Sequence, residues 1–224
     1  MTNDLLYQVA LTLVPNIGDV HAKALINIFG DAQSIFKAKK KDLEIIEGIG
    51  TVRAKSIKEF TDFSSSETEI KFIEKFKIAP LFITDDNYPR RLLNCYDSPA
   101  LLYYRGNADL NTARVISVVG TRNNSDYGKL VCEKFIEGLQ SENILVVSGL
   151  AFGIDTIAHK TALKNNLLTV AVLAHGLDRI YPQQNKTLAK EITAQGGLLT
   201  DFISNTNPDK QNFPKRNRIV AGMC

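Results

Sequence analysis

The apolar residues of the first sixty positions recur every three or four residues, which is the spacing of one face of a helix. They form two stripes: Leu5, Leu6, Val9 and Leu13, and then Ala24, Leu25 and Ile28. After them come three consecutive serines, Ser64–Ser66, and a polar stretch, Glu67–Lys77. We therefore predict a small all-α domain over residues 1–63, followed by a linker and connecting helix over residues 64–77.

From residue 78 onward, short apolar runs alternate with stretches of helical spacing. The strand candidates are Leu81–Ile83, Leu101–Tyr104, Val115–Val119, Ile144–Val147, Thr169–Leu173 and the weaker Gly197–Phe202, and the helix candidates are Tyr127–Gln140, Ile154–Asn165 and Asn185–Gln195. This alternation predicts βαβ units, and hence an α/β domain with a Rossmann-like, mostly parallel sheet over residues 78–224. Because Val115–Val119 is apolar on both faces, we place it inside the sheet.

A short repeat in the helical region has the pattern of a helix-hairpin-helix unit. Residues 17–25 match residues 49–57, and each copy has a glycine followed five residues later by a lysine: Gly18 and Lys23, Gly50 and Lys55. Backbone N–H groups at a helix start can face a phosphate, so the hairpins could bind DNA backbone. Alternatively, they only pack a small SAM-like helical domain. Residues 1–77 hold 11 basic and 11 acidic residues, which favours packing.

Composition narrows the classes of protein to which the chain can belong. Hydrophobic residues make up 44% of the 224 positions and charged residues 23%, which excludes disordered and fibrous chains. No apolar run reaches the roughly 20 residues of a membrane span, and the N-terminus lacks the basic start of a secretory signal. Cys95, Cys132 and Cys224 are too few and too far apart for a disulfide framework or a Cys-x-x-Cys zinc site, so we expect a cytoplasmic protein.

The net charge of +3 is concentrated near the C-terminus. Residues 1–77 and 78–204 are each neutral, whereas residues 205–219 hold one acid and four cations, Lys210, Lys215, Arg216 and Arg218. A localised cationic segment suits a polyanion. The same segment contains Phe213 for stacking on a base and Asn217 for a base or sugar, a combination that fits a nucleic-acid strand. The alternative is a helix that enters the core with its basic start at the surface.

Glycine-rich turns follow three of the predicted strands. The first, Gly120-Thr121-Arg122, offers close backbone approach to a phosphate and a planar guanidinium; alternatively, it is only a tight turn with a surface arginine. Its spacing fits neither a dinucleotide-binding fingerprint nor a Walker A loop. After the third turn, His175-Gly176, Tyr181 could stack on a base or pack beside Pro182. Because parallel strands end at one edge of a sheet, we expect the first turn and the Ser148-Gly149 turn to converge there with the Lys215–Arg218 segment.

The second turn is followed by Asp155 and His159, which share one face of the predicted helix. A metal pair on this face would lack a third ligand, so we expect Asp155 to oppose the helix dipole and His159 to hydrogen-bond locally. Ser148 lacks the surroundings of a catalytic nucleophile. We predict instead that Ser148, Gly149 and Gly153 bind phosphate.

Three motifs of this domain resemble those of a known family. They are Ser148-Gly149-x-Ala151-x-Gly153-Ile154-Asp155, Gly176-Leu177-Asp178-x-x-Tyr181-Pro182 and Asn212-Phe213-Pro214-x-Arg216-Asn217-Arg218-Ile219-Val220-Ala221-Gly222. Val119-Gly120-Thr121-Arg122 and the stretch from Tyr88-Pro89-x-x-Leu92 to Leu102-Tyr103 fit the same pattern. Together they resemble the DNA processing protein A family (DprA, also called Smf) from about residue 78 to residue 222.

The resemblance implies an extended Rossmann-like domain that binds single-stranded DNA, dimerises and hands incoming DNA to RecA in natural transformation. It implies no catalytic reaction, and we expect no cofactor and no metal. Members of the family continue well beyond the Asn-Arg-Ile-Val-Ala-Gly segment, whereas this chain stops at Cys224. We therefore expect an incomplete sheet with exposed apolar surface. Whether the chain keeps the surfaces for a homodimer and for RecA is left undecided by the sequence.

Two other functions compete with a DNA-binding role. One is a nucleotide-binding or phosphoribohydrolase-like Rossmann enzyme, against which the missing Pro-Gly-Gly-x-Gly-Thr-x-x-Glu motif counts. The other is a remnant that cannot fold alone. Our predicted DNA site consists of the turns and the cationic segment: Gly120, Thr121, Arg122, Ser148, Gly149, Gly153, Tyr181, Phe213, Lys215, Arg216, Asn217 and Arg218.

Overall fold

The computed structural model describes residues 3–140 and 142–224. Its helices are α1 (Asn3–Leu13), α2 (Asp19–Phe29), α3 (Ala32–Lys37), α4 (Lys40–Glu44), α5 (Gly50–Glu59), α6 (Ser64–Phe76), α7 (Asp126–Glu137), α8 (Ile154–Lys164), α9 (Lys186–Ala194) and α10 (Asn212–Gly222). Its strands are β1 (Ala79–Phe82), β2 (Leu101–Gly106), β3 (Val115–Val118), β4 (Leu145–Ser148), β5 (Thr169–Val172) and β6 (Gly196–Thr200). Contacts group the chain into two units, Met1–Asp85 with Tyr96–Leu101, and Asp86–Cys95 with Leu102–Cys224.

The first unit is built from helices that share an apolar core, although Ile28 of the second predicted stripe is 60% exposed. Val9, Leu25 and Ile57 come from three different helices, and each is at most 1% exposed. The turns that precede α2 and α5 are joined by Arg53, whose guanidinium donates to the Asn16 carbonyl oxygen at 3.1 Å and to the Gly48 carbonyl oxygen at 3.0 Å. The two copies of the sequence repeat therefore hold one another in place.

The second unit is an α/β sheet domain, as the alternating pattern predicts. Its strands are ordered β2-β6-β5-β4-β3, and the pairs β3–β4, β4–β5 and β5–β6 are parallel. β2 pairs antiparallel with β6. Apolar side chains of α7 and α8 pack with β4, and those of α9 pack with β5 and β6. The predicted mostly parallel, Rossmann-like sheet after a small helical region is confirmed.

β3 lies at an edge of the sheet, so the prediction of an interior position for Val115–Val119 is wrong. The parallel pairing with β4 holds, with Ile116 opposite Val146. All four β3 residues are only half-buried, and Val119 beyond them is 63% exposed. An apolar run indicates that a strand packs against helices. The position of that strand in the sheet depends instead on the crossover connections. Leu130 and Phe135 of α7 also expose apolar surface.

The grouping by contacts differs from the predicted domain boundaries. α6 packs against α1, so the predicted connecting helix belongs to the first unit. β1 joins that unit as well, although it follows the predicted boundary at residue 78. The assignment of DNA binding to residues 78–224 stays a prediction. Within the described parts of the chain, no helix combines the length and the apolar character needed to cross a membrane.

Candidate nucleic-acid interface

Two turns meet at the carboxyl ends of β3 and β4. The first contains Gly120, Thr121 and Arg122, all exposed, and the second ends in Gly153 just before α8. The Ile154 N–H donates to the Thr121 carbonyl oxygen at 3.1 Å. Gly153 has a φ of +78°, and a Cβ atom at this position would collide with the carbonyl oxygens of the first turn. The contact between the turns therefore requires glycine.

α10 brings the cationic segment to the first turn. The Arg122 guanidinium lies over the Phe213 ring, with its central carbon 4.9 Å from the ring centroid. The Phe213 centroid is in turn 6.1 Å from that of Tyr181, which is 48% exposed. We call Arg122, Phe213 and Tyr181 the cation–aromatic row. These contacts place the first turn, the third turn and the start of α10 side by side, while DNA contacts from these residues stay a prediction.

Tyr181 is held by a histidine that the sequence analysis did not select. The Tyr181 backbone N–H donates to Nε2 of the buried His175 at 3.2 Å. Burial lowers the pKa of the His175 imidazole, which keeps Nε2 available as an acceptor near neutral pH. The position of His175 in the third glycine-rich turn is the sequence feature that could have indicated this role.

Arg216 does not lie on the surface with the other cations, and its role as a phosphate ligand stays a prediction. It is only 5% exposed, and its guanidinium donates to the Val172 carbonyl oxygen of β5. A Cβ atom on Gly149 would collide with both this guanidinium and the Asp155 carboxylate, which places the three groups side by side. Burial lowers the pKa of Arg216, and the charge of Asp155 opposes that shift. Arg216 therefore supports the second turn from inside.

The other predicted site residues of α10 include two that face solvent and one that forms an ion pair. Lys215 and Asn217 are exposed. Arg218 pairs with Asp201 at 2.7 Å, and its side chain is 21% exposed. Nothing in the spacing between positions 201 and 218 signals this pair. Arg122 and Lys215 are consequently the strongly exposed cations among the four predicted here.

Buried polar groups hold the backbone of the second turn. Ser148 is fully buried, and its hydroxyl donates to the Val118 carbonyl oxygen at 2.6 Å. The hydroxyl thus joins β4 to β3, and phosphate binding by Ser148 stays a prediction. Asp155 accepts from the Ala151 N–H at 3.2 Å. Burial raises the pKa of the Asp155 carboxyl, and the hydrogen bond from Ala151 and the charge of Arg216 oppose that rise.

His159 fixes the same turn from the core. Its Nε2 lies 2.6 Å from the Gly149 carbonyl oxygen, and its Nδ1 lies 2.7 Å from the Thr169 hydroxyl. Since a carbonyl only accepts, Nε2 carries the proton and Nδ1 faces the Thr169 hydroxyl, which also lies 3.0 Å from the Val146 carbonyl oxygen. Burial lowers the pKa of the imidazole to about 4, so the ring is neutral at pH 7. Among residues 3–140 and 142–224, no group of three or more His, Cys, Asp or Glu could hold a metal ion.

The N-terminal candidates all lie in the first unit. Gly18 caps α2, and Gly50 is the first residue of α5. Lys23 donates to a serine hydroxyl of its own unit at 3.2 Å, and Lys55 pairs with Glu59 at 3.7 Å. Both lysines therefore have protein partners, and their DNA contacts stay a prediction.

Comparison with known proteins decides the family. Residues 79–224 match the family described as DNA recombination-mediator protein A, and residues 8–70 match the helix-hairpin-helix motif. The chain belongs to the DNA recombination-mediator protein A family. Both the resemblance carried by the three motifs and the helix-hairpin-helix interpretation of the repeat are confirmed.

Curated relatives of this family member carry the names Smf and DprA. Protein Smf from Synechocystis is 35% identical, with 97% of this chain and 56% of the relative covered. DNA processing protein DprA from Streptococcus pneumoniae is 45% identical, with 67% of this chain and 54% of the relative covered. The chain thus spans about half the length of the curated relatives it matches.

Two solved structures share the fold. The X-ray structure of DNA processing protein A (DprA) from Streptococcus pneumoniae has a TM-score of 0.81 and 34% identity, with 100% of this chain and 76% of that chain covered. A structure of DNA processing protein A from Helicobacter pylori has a TM-score of 0.58 and 30% identity, with 66% of each chain covered. The latter protein is described for its unique single-stranded DNA binding mode.

Proposed function

We propose that this chain binds single-stranded DNA at the carboxyl edge of its sheet. The cation–aromatic row carries the proposal, because it sets an exposed guanidinium beside two aromatic rings that reach solvent. Aromatic rings stack on any base for about 1–3 kcal/mol each, and cations track the phosphates. The described binding of single-stranded DNA by the Helicobacter pylori relative supports the same class of ligand.

The exposed charges set the expected salt dependence of this site. Arg122 and Lys215 would each neutralise one phosphate, and each such contact contributes about −0.7 to the slope of log affinity against log salt for single strands. Arg122 of the cation–aromatic row and Lys215 of α10 together therefore contribute about −1.4 to this slope. That is half of the contribution that four surface cations would make. Backbone N–H groups of the first turn and the Asn217 amide would add contacts without charge.

We propose a wider role in natural transformation, in the cytoplasm and without catalysis. Membership of a recombination-mediator family and relatives named DNA processing proteins support a role in handling DNA. Transfer of the strand to RecA and formation of a homodimer rest on the family resemblance alone. Incubation of the purified chain with nucleoside monophosphates tests the enzymatic alternative, and their turnover would overturn the non-catalytic role.

An oligothymidylate titration at several salt concentrations tests the DNA site. We expect Arg122→Ala to weaken binding and to reduce the magnitude of the slope by about 0.7. Phe213→Ala should cost roughly 1–3 kcal/mol with little change in slope. The matched control is Arg114→Ala, which removes an exposed arginine just before β3, at the opposite end of that strand. If Arg122→Ala and Phe213→Ala both bind like the control, the site lies elsewhere.

A further inference from the structure

A cavity of about 760 Å³ lies beside the cation–aromatic row in the second unit. Part of its lining is apolar and buried, including Ala189 of α9 and Leu198 of β6. The charged lining consists of four cations and one acid: Arg105, Asp178, Arg179, Lys186 and Lys190. A concave site of this size, with an apolar surface and a few polar groups, is typical of pockets that bind small molecules.

Three of these cations have no charged or hydrogen-bonded side-chain partner within the described parts of the chain. Arg179 pairs with Asp178 at 2.8 Å, so these two charges cancel. Arg105, Lys186 and Lys190 have no such partner, and all three are exposed. Lys186 and Lys190 lie about 6 Å apart along α9, at 1.5 Å per residue. Because like charges around a concave surface repel one another, a bound anion would relieve that repulsion.

Tyr181 connects this cavity to the cation–aromatic row. Its side chain lines the cavity, and its ring centroid is 6.1 Å from that of Phe213, which in turn contacts Arg122. The Arg122 guanidinium and the Tyr181 ring are therefore at most about 11 Å apart, which is about three stacking intervals of 3.4 Å, or four stacked nucleotides. The next nucleotides of a strand bound along the row would reach the cavity.

We infer that the cavity is a second subsite for the same DNA strand, in which Arg105, Lys186 and Lys190 bind consecutive phosphates. The inference rests on the proposed function and extends it. The cations come from β2 and from two turns of α9, and this spread suits several phosphates along a backbone better than one isolated phosphate group. The apolar lining accommodates one base or sugar between them.

The double variant Lys186→Ala/Lys190→Ala tests the subsite. Its matched control is Lys160→Ala/Lys164→Ala, which removes two exposed lysines at the same spacing from α8, outside the cavity lining. Alanine favours a helix, so both proteins should fold. Affinity is measured for oligothymidylates of about 3 to about 16 nucleotides, which extends just below the roughly 4–16 nucleotides that one OB fold binds. Each length is titrated at several salt concentrations, and thymidine monophosphate and inorganic phosphate are titrated alongside.

We expect affinity to rise with length and then to level off, and to level off at a shorter length in the cavity variant than in the control. For long oligomers, the magnitude of the salt slope should fall by about 1.4, at about 0.7 for each lost phosphate contact. Oligomers of about three nucleotides should bind both proteins alike.

The proposal is overturned if the cavity variant and the control give the same length dependence and the same slope. It is also overturned if the cavity variant loses only binding of the monophosphate or of inorganic phosphate, because the cavity would then hold a free anion. A third outcome separates the two proposals. If Arg122→Ala binds like wild type while affinity for the cavity variant still levels off at a shorter oligomer length, the proposed site at the cation–aromatic row is wrong and the cavity subsite is supported.

Discussion

At the scale of single residues, Gly153 lets the second turn reach the first. Its backbone has φ +78° and ψ −130°, a region that residues with a side chain rarely enter, and it abuts the carbonyl groups of Thr121 and Arg122. We expect Gly153→Ala to lower the free energy of unfolding by about 1–3 kcal/mol. DNA affinity should fall as well, because the turn that carries Arg122 must move. Urea unfolding and oligonucleotide titration measure the two effects.

Gly128→Ala is the matched control for this prediction. Gly128 lies in α7, where an added Cβ atom would meet no neighbouring atom closer than 3.5 Å. Alanine there should leave stability unchanged or raise it by up to about 1 kcal/mol, since glycine is a poor helix residue. Equal stability of the two variants would contradict the role given to the Gly153 backbone.

His159 makes the stability of the second unit depend on pH. Its pKa is about 4 in the folded chain, against 6.5 for a free imidazole, so the unfolded chain binds the proton first as pH falls. Stability is therefore full above about pH 6.5 and declines towards pH 4, by up to about 1.4 kcal/mol for each pH unit. The lowered pKa of His175 acts in the same direction, and the raised pKa of Asp155 opposes it in the acid range.

Urea unfolding at pH 7, 6 and 5 checks this pH dependence. The unfolding midpoint should fall with pH in the wild type, and the profile should be flatter in His159→Gln, which keeps no titrating group at that position. His159→Gln should also be less stable at pH 7, because the Gly149 carbonyl and the Thr169 hydroxyl lose well-placed partners. A wild-type midpoint that stays constant between pH 7 and pH 5 would contradict the assignment.

At the scale of elements, α10 is anchored to the sheet by Arg216. Arg216→Met should lower the free energy of unfolding by about 3–5 kcal/mol, because it leaves the Asp155 carboxylate buried without its compensating charge. Adding Asp155→Asn should recover part of that loss. Lys215→Met, at the exposed neighbouring position, should change stability by no more than about 0.5 kcal/mol. Urea unfolding of all four proteins measures this; a double variant less stable than Arg216→Met would argue against charge compensation.

The elements of the second unit could be predicted from the sequence where a local pattern determines them. β4 and β5 appear within one residue of their apolar runs at each end, because a buried parallel strand must be apolar on both faces. The edge position of β3 could not be predicted from a local pattern, because the crossover connections determine it. The burial of Arg216 does follow a pattern in the sequence that could have predicted it. Arg216, Ile219, Val220 and Met223 recur at helical spacing, and all four are buried.

At the scale of the whole molecule, the site depends on long-range connections in the sheet. Arg122, Tyr181 and Phe213 are separated by tens of residues, yet the turns after parallel strands emerge at one edge, and α10 crosses to that edge. Their meeting was predictable from topology. The exposure of each cation was not predictable, because the pairing of Arg218 with Asp201 depends on packing that the sequence does not display.

The helix-hairpin-helix unit supplies the last prediction, that it packs and does not bind DNA. Gly18 is the N-cap of α2 with an ordinary φ of −99°, and an added Cβ atom there would meet no neighbouring atom closer than 4.0 Å. Aspartate is a favoured N-cap, so Gly18→Asp should fold with equal or greater stability. It would also place a negative charge where a phosphate would bind the helix start.

We therefore expect Gly18→Asp to match the wild type in oligonucleotide affinity and in salt slope. The comparison is Gly18→Asn, which offers a similar cap without the charge. A loss of affinity in Gly18→Asp but not in Gly18→Asn would show that a phosphate does contact this helix start, and that the charge-neutral hairpins share in DNA binding. Equal affinities would leave the hairpins with the packing role that Arg53 and the buried Leu25 and Ile57 already give them.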